Sequence, residues 1–167
     1  MLNTVALLIF PLLMALAASS DLLTMRISNR LVLTLVGGFV LMAILVNMSA
    51  QEFAMHVAAA VVVLIVAFSF FAMRWIGGGD AKLAAATTLW LGFGVTLPYL
   101  VYAALLGGAL TLLILAVRRW PLHGALARIE WIDRLHNHKS GVPYGIALAA
   151  SGLITYSDTG IFHHFAG

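Results

Sequence analysis

The chain has 167 residues, 63% of them hydrophobic and only 9% charged, and its mean hydropathy of +1.06 lies far above that of a soluble domain. Nine Lys and Arg against six Asp and Glu give a net charge of +3, and the absence of cysteine excludes disulfides, thiolate catalysis and cysteine-ligated zinc. A hydrocarbon core about 30 Å thick takes roughly 20 apolar residues per helix, so the length fits an all-α, polytopic membrane bundle of about six spans, one membrane-embedded domain over residues 1–167.

Apolar runs place the spans near residues 2–20, 31–48, 53–73, 83–97, 100–117 and 142–156. No basic residue precedes the first, as a secretory signal would need, so it reads as a retained helix. Arg26 and Arg30 follow it. His56 begins the third span and reads as interfacial, and Arg74 and Lys82 separate the third span from the fourth. Gly92, Gly94, Gly107 and Gly108 read as places of close helix packing. Arg118, Arg119, Arg128, Arg134 and Lys139 lie between the fifth and sixth spans. Across 121–136 of that stretch, Leu122, Leu126, Ile129, Ile132 and Leu135 recur at three- and four-residue spacing. This predicts an amphipathic interfacial helix opened by Pro121 and anchored by Trp120 and Trp131.

All nine basic residues therefore fall in three alternate loops, which predicts those loops in the cytoplasm and both termini outside. The positive charge then reports topology and contact with anionic membrane lipid, not nucleic-acid binding. His136, His138, His163 and His164 have no arrangement that calls for a metal, and neither metal nor cofactor is expected.

Asp21 ends the first span and Asp80 opens the fourth, so the topology brings both to one boundary of the bilayer. Two carboxylates within reach of each other share a proton and can hold a water between a base and an acid. Gly77, Gly78 and Gly79 would let the chain turn without side chains and let an extended peptide approach Asp80. Plainer roles stand beside these: Asp80 as a helix N-cap, Asp21 as a solvated residue or a partner of Arg26. Lys82 could bear on Asp80 or receive an acid on the substrate, or serve topology alone. Pro143-Tyr144-Gly145 could shape the site or simply open the last helix.

In order along the chain stand Asp21, Ile27-Ser28-Asn29, Gly77-Gly78-Gly79-Asp80-Ala81-Lys82-Leu83 and Val142-Pro143-Tyr144-Gly145. The pattern resembles the type IV prepilin peptidase family, membrane aspartic peptidases with a Gly-x-Gly-Asp motif, and within it the short peptidases of Flp/Tad-type pilus systems. The resemblance implies that Asp21 and Asp80 are the catalytic pair. It implies hydrolysis that removes a short leader from prepilin precursors at the cytoplasmic face of a bacterial or archaeal membrane. Its implied partners are the precursor, membrane lipid and the pilus assembly machinery. No methyl transfer is expected, since the cysteine-bearing loop of larger relatives and a glycine-rich nucleotide loop are missing. Ser28 stands where the family usually has proline, while Asn29 is kept and could cap the second span. The competing readings are a presenilin-like intramembrane protease, built from more spans, and a proton-coupled transporter or assembly subunit. The latter often shows internal repeats and acids at the midplane, neither of which is seen here.

Overall fold

The apolar runs become helices, as a chain without water around it must satisfy its own backbone groups. The computed structural model describes residues 2–122, 124 and 126–166. Among these are α1 (Leu2–Thr24), α2 (Asn29–Leu45), α3 (Ala50–Ala72), α4 (Gly78–Val117), α5 (Glu130–His136), α6 (Gly145–Tyr156) and α7 (Gly160–Ala166), and no strand. The fold is a helical membrane bundle. Three helices, α1, α3 and α4, are long and apolar enough to cross a membrane, and α2 and α6 are shorter apolar helices. A belt of exposed Leu12, Leu16, Ile65, Leu105, Leu112 and Leu113 faces outward, where lipid tails are the solvent.

The two spans expected at 83–97 and 100–117 fall in α4, 40 residues made of two helical arms that join at the non-helical Gly92. Straight, it would measure about 60 Å, twice the hydrocarbon thickness, and Asp80 and Ala103 would stand roughly 35 Å apart. Instead Asp80, Ala84, Leu100 and Ala103 line one groove, so the arms 78–91 and 93–117 fold back on each other. The reversal therefore falls at Gly92, not between 97 and 100 beside Pro98. Gly92 has φ 69° and ψ 176°, a conformation essentially confined to glycine, whereas Pro98 is carried inside the second arm.

His56 holds the reversal. Its Nδ1–H donates to the Leu89 carbonyl at 2.8 Å, an acceptor next to the break in the helical ladder, and its ring lies against Gly92. The ring also stacks on Phe39 at 5.3 Å between centroids. His56 is thus a partly buried structural residue and not merely interfacial.

The first arm of α4 is the axis of the bundle. Ala81 and every residue from Leu83 to Gly92 are buried, because Ala84, Ala85, Ala86, Thr87 and Thr88 are small enough to admit neighbours on all sides. It packs against α3, α6 and α2, while α1 lies along α6. Trp90 is fully buried, close to Phe10 at 5.2 Å and donating its Nε1–H to the Leu35 carbonyl at 2.9 Å.

Between α4 and α6 the expected helix over 121–136 is shorter: a 3-10 turn at Leu126–Arg128 and α5 at Glu130–His136. Ile129 between them is extended, with φ −93° and ψ 108°, so the amphipathic spacing does not continue through it; His123 and Ala125 lie outside the described residues. Arg118 at the end of α4 is buried and donates to the carbonyls of Leu135 (2.8 Å), Gly141 (2.9 Å) and Ser140 (3.3 Å), fixing this segment to the bundle.

Gly92→Ala is expected to lower stability by about 1–3 kcal/mol, since an added Cβ would also meet His56 at 2.9 Å. Gly94→Ala, with nothing within 4 Å of the new methyl, should be neutral or slightly stabilising. Thermal unfolding in detergent compares the two, and equal midpoints would remove Gly92 as the origin of the reversal.

Candidate active site

Asp21 and Asp80 come together because α1 ends and α4 begins at the same end of the bundle. Asp21 lies in the last helical turns of α1, only 5% exposed. Asp80 is the third residue of α4, partly buried, and reaches back toward the backbone of Gly77, the N-cap position. Both side chains line one cavity of about 650 Å³, and they are close enough for the charge of Asp21 to be felt at Asp80. The rest of the wall includes Arg26, Ser28, Asn29, Gly78, Gly79 and Gly141.

The α6 helix supplies the hydrogen bond that holds Asp21. Gly145 N–H, at the first position of α6, donates to Asp21 Oδ2 at 2.7 Å. This backbone donor, not Arg26, is the partner of the carboxylate. Pro143 is buried behind it, and Tyr144 occupies the N-cap with its hydroxyl donating to the Ala103 carbonyl at 3.0 Å. Pro143-Tyr144-Gly145 therefore opens the last apolar helix and touches the site at once. Gly145 has to be glycine, because a Cβ there would lie 2.8 Å from Asp21 Oδ2 and 2.9 Å from Ile27.

The glycines before Asp80 serve close approach and not an unusual turn. Gly77 has φ −74° and ψ 145°, open to any residue. A Cβ on Gly77 would instead lie 2.9 Å from Asp80 Oδ2, one on Gly78 3.2 Å from Phe71, and one on Gly79 3.3 Å from Ile27. The reversal of the chain between α3 and α4 is made earlier, by Arg74 at φ 62°.

Ser28 and Asn29 exchange the roles expected of them. Ser28 is the N-cap of α2, its Oγ accepting from Leu31 N–H at 3.2 Å, with φ −72° and ψ 145°. That φ is the one proline would impose, so serine keeps the backbone geometry and adds a cap worth about 1 kcal/mol. Asn29 is the first residue of α2, and its Oδ1 accepts from Lys82 Nζ at 3.0 Å. Lys82 is exposed and, two residues past Asp80, points to nearly the opposite side of α4; it lies outside the wall of the aspartate cavity. The Lys82–Asn29 bond instead ties the starts of α2 and α4 together.

A second feature was invisible in the sequence. Asp80 also lines an apolar groove of about 450 Å³ between α3 and the two arms of α4, with Val66, Phe70, Ala84, Ala103 and Tyr144. One carboxylate thus stands where a cavity of mixed polar and apolar lining meets an almost wholly apolar groove. The signal for it was the reversal at Gly92, which hydropathy alone does not locate.

Comparison with protein families matches residues 8–112 to the type IV leader peptidase family. No curated protein and no solved structure shows significant similarity to the chain. The matched segment covers more than half of the chain and contains Asp21, Asn29, the three glycines, Asp80 and Lys82, and the chain therefore belongs to the type IV leader peptidase family.

Proposed function

We propose that the protein is an aspartic endopeptidase that removes the short leader from prepilin-like precursors of Flp/type IV pilin type, with Asp21 and Asp80 as the catalytic pair. The observation that carries this reading is the convergence of the two carboxylates, from the end of α1 and the start of α4, on one cavity. Family membership supports a leader peptidase; the two facing acids support the aspartic mechanism.

The pair acts as a unit carrying one proton. The ionised carboxylate takes a proton from water as its oxygen attacks the scissile carbonyl carbon, and the protonated carboxyl gives its proton to the carbonyl oxygen. In the tetrahedral intermediate a carboxyl gives a proton to the amide nitrogen, the other carboxylate takes one from a hydroxyl of the diol as the C–N bond breaks, and the pair again carries one proton. A leader ending in a carboxyl group and a pilin with a new amino terminus result, and one water is consumed.

The surroundings support the substrate class. A precursor that passes from a polar leader to an apolar helix changes polarity at the cut, and Asp80 sits where the cavity of mixed lining meets the apolar groove. Gly77, Gly78 and Gly79 line the same cavity and add no side chain to its wall. The basic residues support a cytoplasmic active-site face. Arg26 lines the aspartate cavity, and Arg118 and Arg134 bond to carbonyls at that end. A cavity at the far end, lined by Glu52, His56, Gly92 and His164 among others, contains neither Lys nor Arg in its wall. We place the protein, as a multi-pass peptidase, in the bacterial or archaeal cytoplasmic membrane on the strength of its family, and the charge bias supports the orientation.

Co-expression with a panel of Flp-type pilin precursors, read by mass spectrometry of the pilin amino terminus, tests the reading. Leader removal is expected with the wild type, and Asp21→Asn or Asp80→Asn should reduce it by about 10³-fold or more while insertion is unchanged. Removal that survives either substitution would end the two-aspartate mechanism.

The Lys82–Asn29 bond gives a further expectation. Lys82→Ala and Asn29→Ala should each slow cleavage by a similar factor, with little further loss in the double variant, because both break the same tie. Precursors with and without an acid near the cut should be slowed alike. A selective effect of Lys82→Ala on acidic precursors would instead give Lys82 a direct role at the substrate.

A further inference from the structure

Gly107 and Gly108 are adjacent in α4, yet only one of them is used. Nothing lies within 4 Å of where a Cβ on Gly108 would stand, whereas a Cβ on Gly107 would overlap the ring of Tyr144. Ala103, one turn before Gly107, accepts the Tyr144 hydroxyl at 3.0 Å. Ala103 and Gly107 thus form a slot on the second arm of α4, and Tyr144 fills it from ring edge to hydroxyl.

What the slot holds is the first turn of α6. Tyr144 is the N-cap, and the next residue is Gly145, whose N–H donates to Asp21 Oδ2 at 2.7 Å. Gly145 has no freedom to move closer, given that Asp21 and Ile27 already lie within 3.0 Å of where a Cβ would be. The hydrogen bond to the Asp21 carboxylate comes from Gly145 of α6 and not from a residue of α1. The side chain is therefore located from outside, by α6. On its other side the Tyr144 ring lines the apolar groove that also contains Asp80, so one aromatic ring adjoins both halves of the site.

We propose that the Ala103/Gly107 slot and its Tyr144 plug are the positioning device of the catalytic pair: they set the height of α6 so that Gly145 fixes the Asp21 carboxylate opposite Asp80. Gly107 and Tyr144 are positioning residues; neither takes part in proton transfer. The proposal rests on the peptidase reading for its kinetic test and on geometry alone for its chemical one.

The experiment compares purified wild type, Gly107→Ala, Tyr144→Ala, the double variant, Tyr144→Phe and Gly108→Ala in detergent micelles. Three readouts are taken: cleavage kinetics on a precursor, thermal unfolding, and modification of Asp21 by a hydrophobic carbodiimide, located by peptide mass spectrometry. Gly107→Ala and Tyr144→Ala should each lower kcat by about 10- to 100-fold through misplacement of a catalytic group, with KM changed by less than about threefold. The double variant should be no worse than Tyr144→Ala, because once the ring is gone the methyl at position 107 has nothing left to displace. Tyr144→Phe, which keeps the ring, should regain most of the loss, and Gly108→Ala should match the wild type. Asp21 should be modified several-fold faster in Gly107→Ala and Tyr144→Ala, because the carboxyl is released from Gly145.

Unchanged kcat and unchanged carbodiimide modification in folded Gly107→Ala would overturn the proposal, as would multiplicative losses in the double variant. If Gly107→Ala does not fold, Tyr144→Ala, which adds no bulk, decides it by the same readouts. A wild type that cleaves no precursor, or an Asp21→Asn variant that still cleaves, would refute the peptidase reading; the carbodiimide comparison would still accept or reject the slot.

Discussion

The reversal of α4 at Gly92 is the constraint on which the remaining structure depends. Within a membrane a chain cannot change direction by exposing several backbone groups to lipid, and here a single residue at φ 69° does it. The cost is an interrupted hydrogen-bond ladder, and His56 offsets part of it by donating to the Leu89 carbonyl. Once the arms are folded together, Ala103 and Gly107 return to the end of the bundle where Asp80 lies. That return creates the surface on which Tyr144 rests, and Tyr144 carries Gly145 to Asp21. On the proposed reading, a glycine and a histidine at one end thus bear on the placement of Asp21 at the other, by way of Ala103, Tyr144 and Gly145.

Much of the architecture could be read from the sequence because burial in lipid leaves a simple trace. Apolar runs located α1, α2, α3, α6 and the stretch that forms α4, though not the break within it, and the placement of Asp21 and Asp80 at the ends of two of them brought both acids to one layer. What escaped was whatever depended on contacts between distant segments. The boundary expected between 97 and 100 includes Pro98, but a proline inside a packed membrane helix is tolerated when its neighbours satisfy the freed groups, whereas the backbone at Gly92 disfavours any side chain. Gly77, Gly78 and Gly79 looked like a flexible turn, and their value is close approach: a methyl on any of them would crowd Asp80, Phe71 or Ile27.

Ser28 and Asn29 show the same limit at a finer scale. A proline and a serine are chemically unlike, and a change between them seemed to loosen the turn after Asp21. Both residues nonetheless fit φ −72°, and the serine hydroxyl takes over the cap that Asn29 would have supplied. Asn29 is thereby free to accept from Lys82. The pair works as two joints, one closing α2 on itself and one binding it to α4, and neither could be assigned from residue type alone because the choice depends on which side chain meets α4.

Hydrolysis beside a membrane helix has to reconcile water with an apolar substrate. The protein separates the two spatially: Asp80 belongs both to a cavity of mixed lining with Arg26, Ser28 and Asn29 and to an apolar groove with Val66, Phe70 and Leu100. A peptide that is polar throughout gains nothing from the groove, and one that is apolar throughout leaves the polar groups of the aspartate cavity, Arg26, Ser28 and Asn29 among them, without partners. Only a peptide with a step in polarity satisfies both walls, and on the proposed reading its step lies at Asp80. Cleavage position would then be selected by where a precursor changes character and less by the identity of any single residue. In this way the polarity junction at Asp80 joins the location of the acids to the choice of substrate.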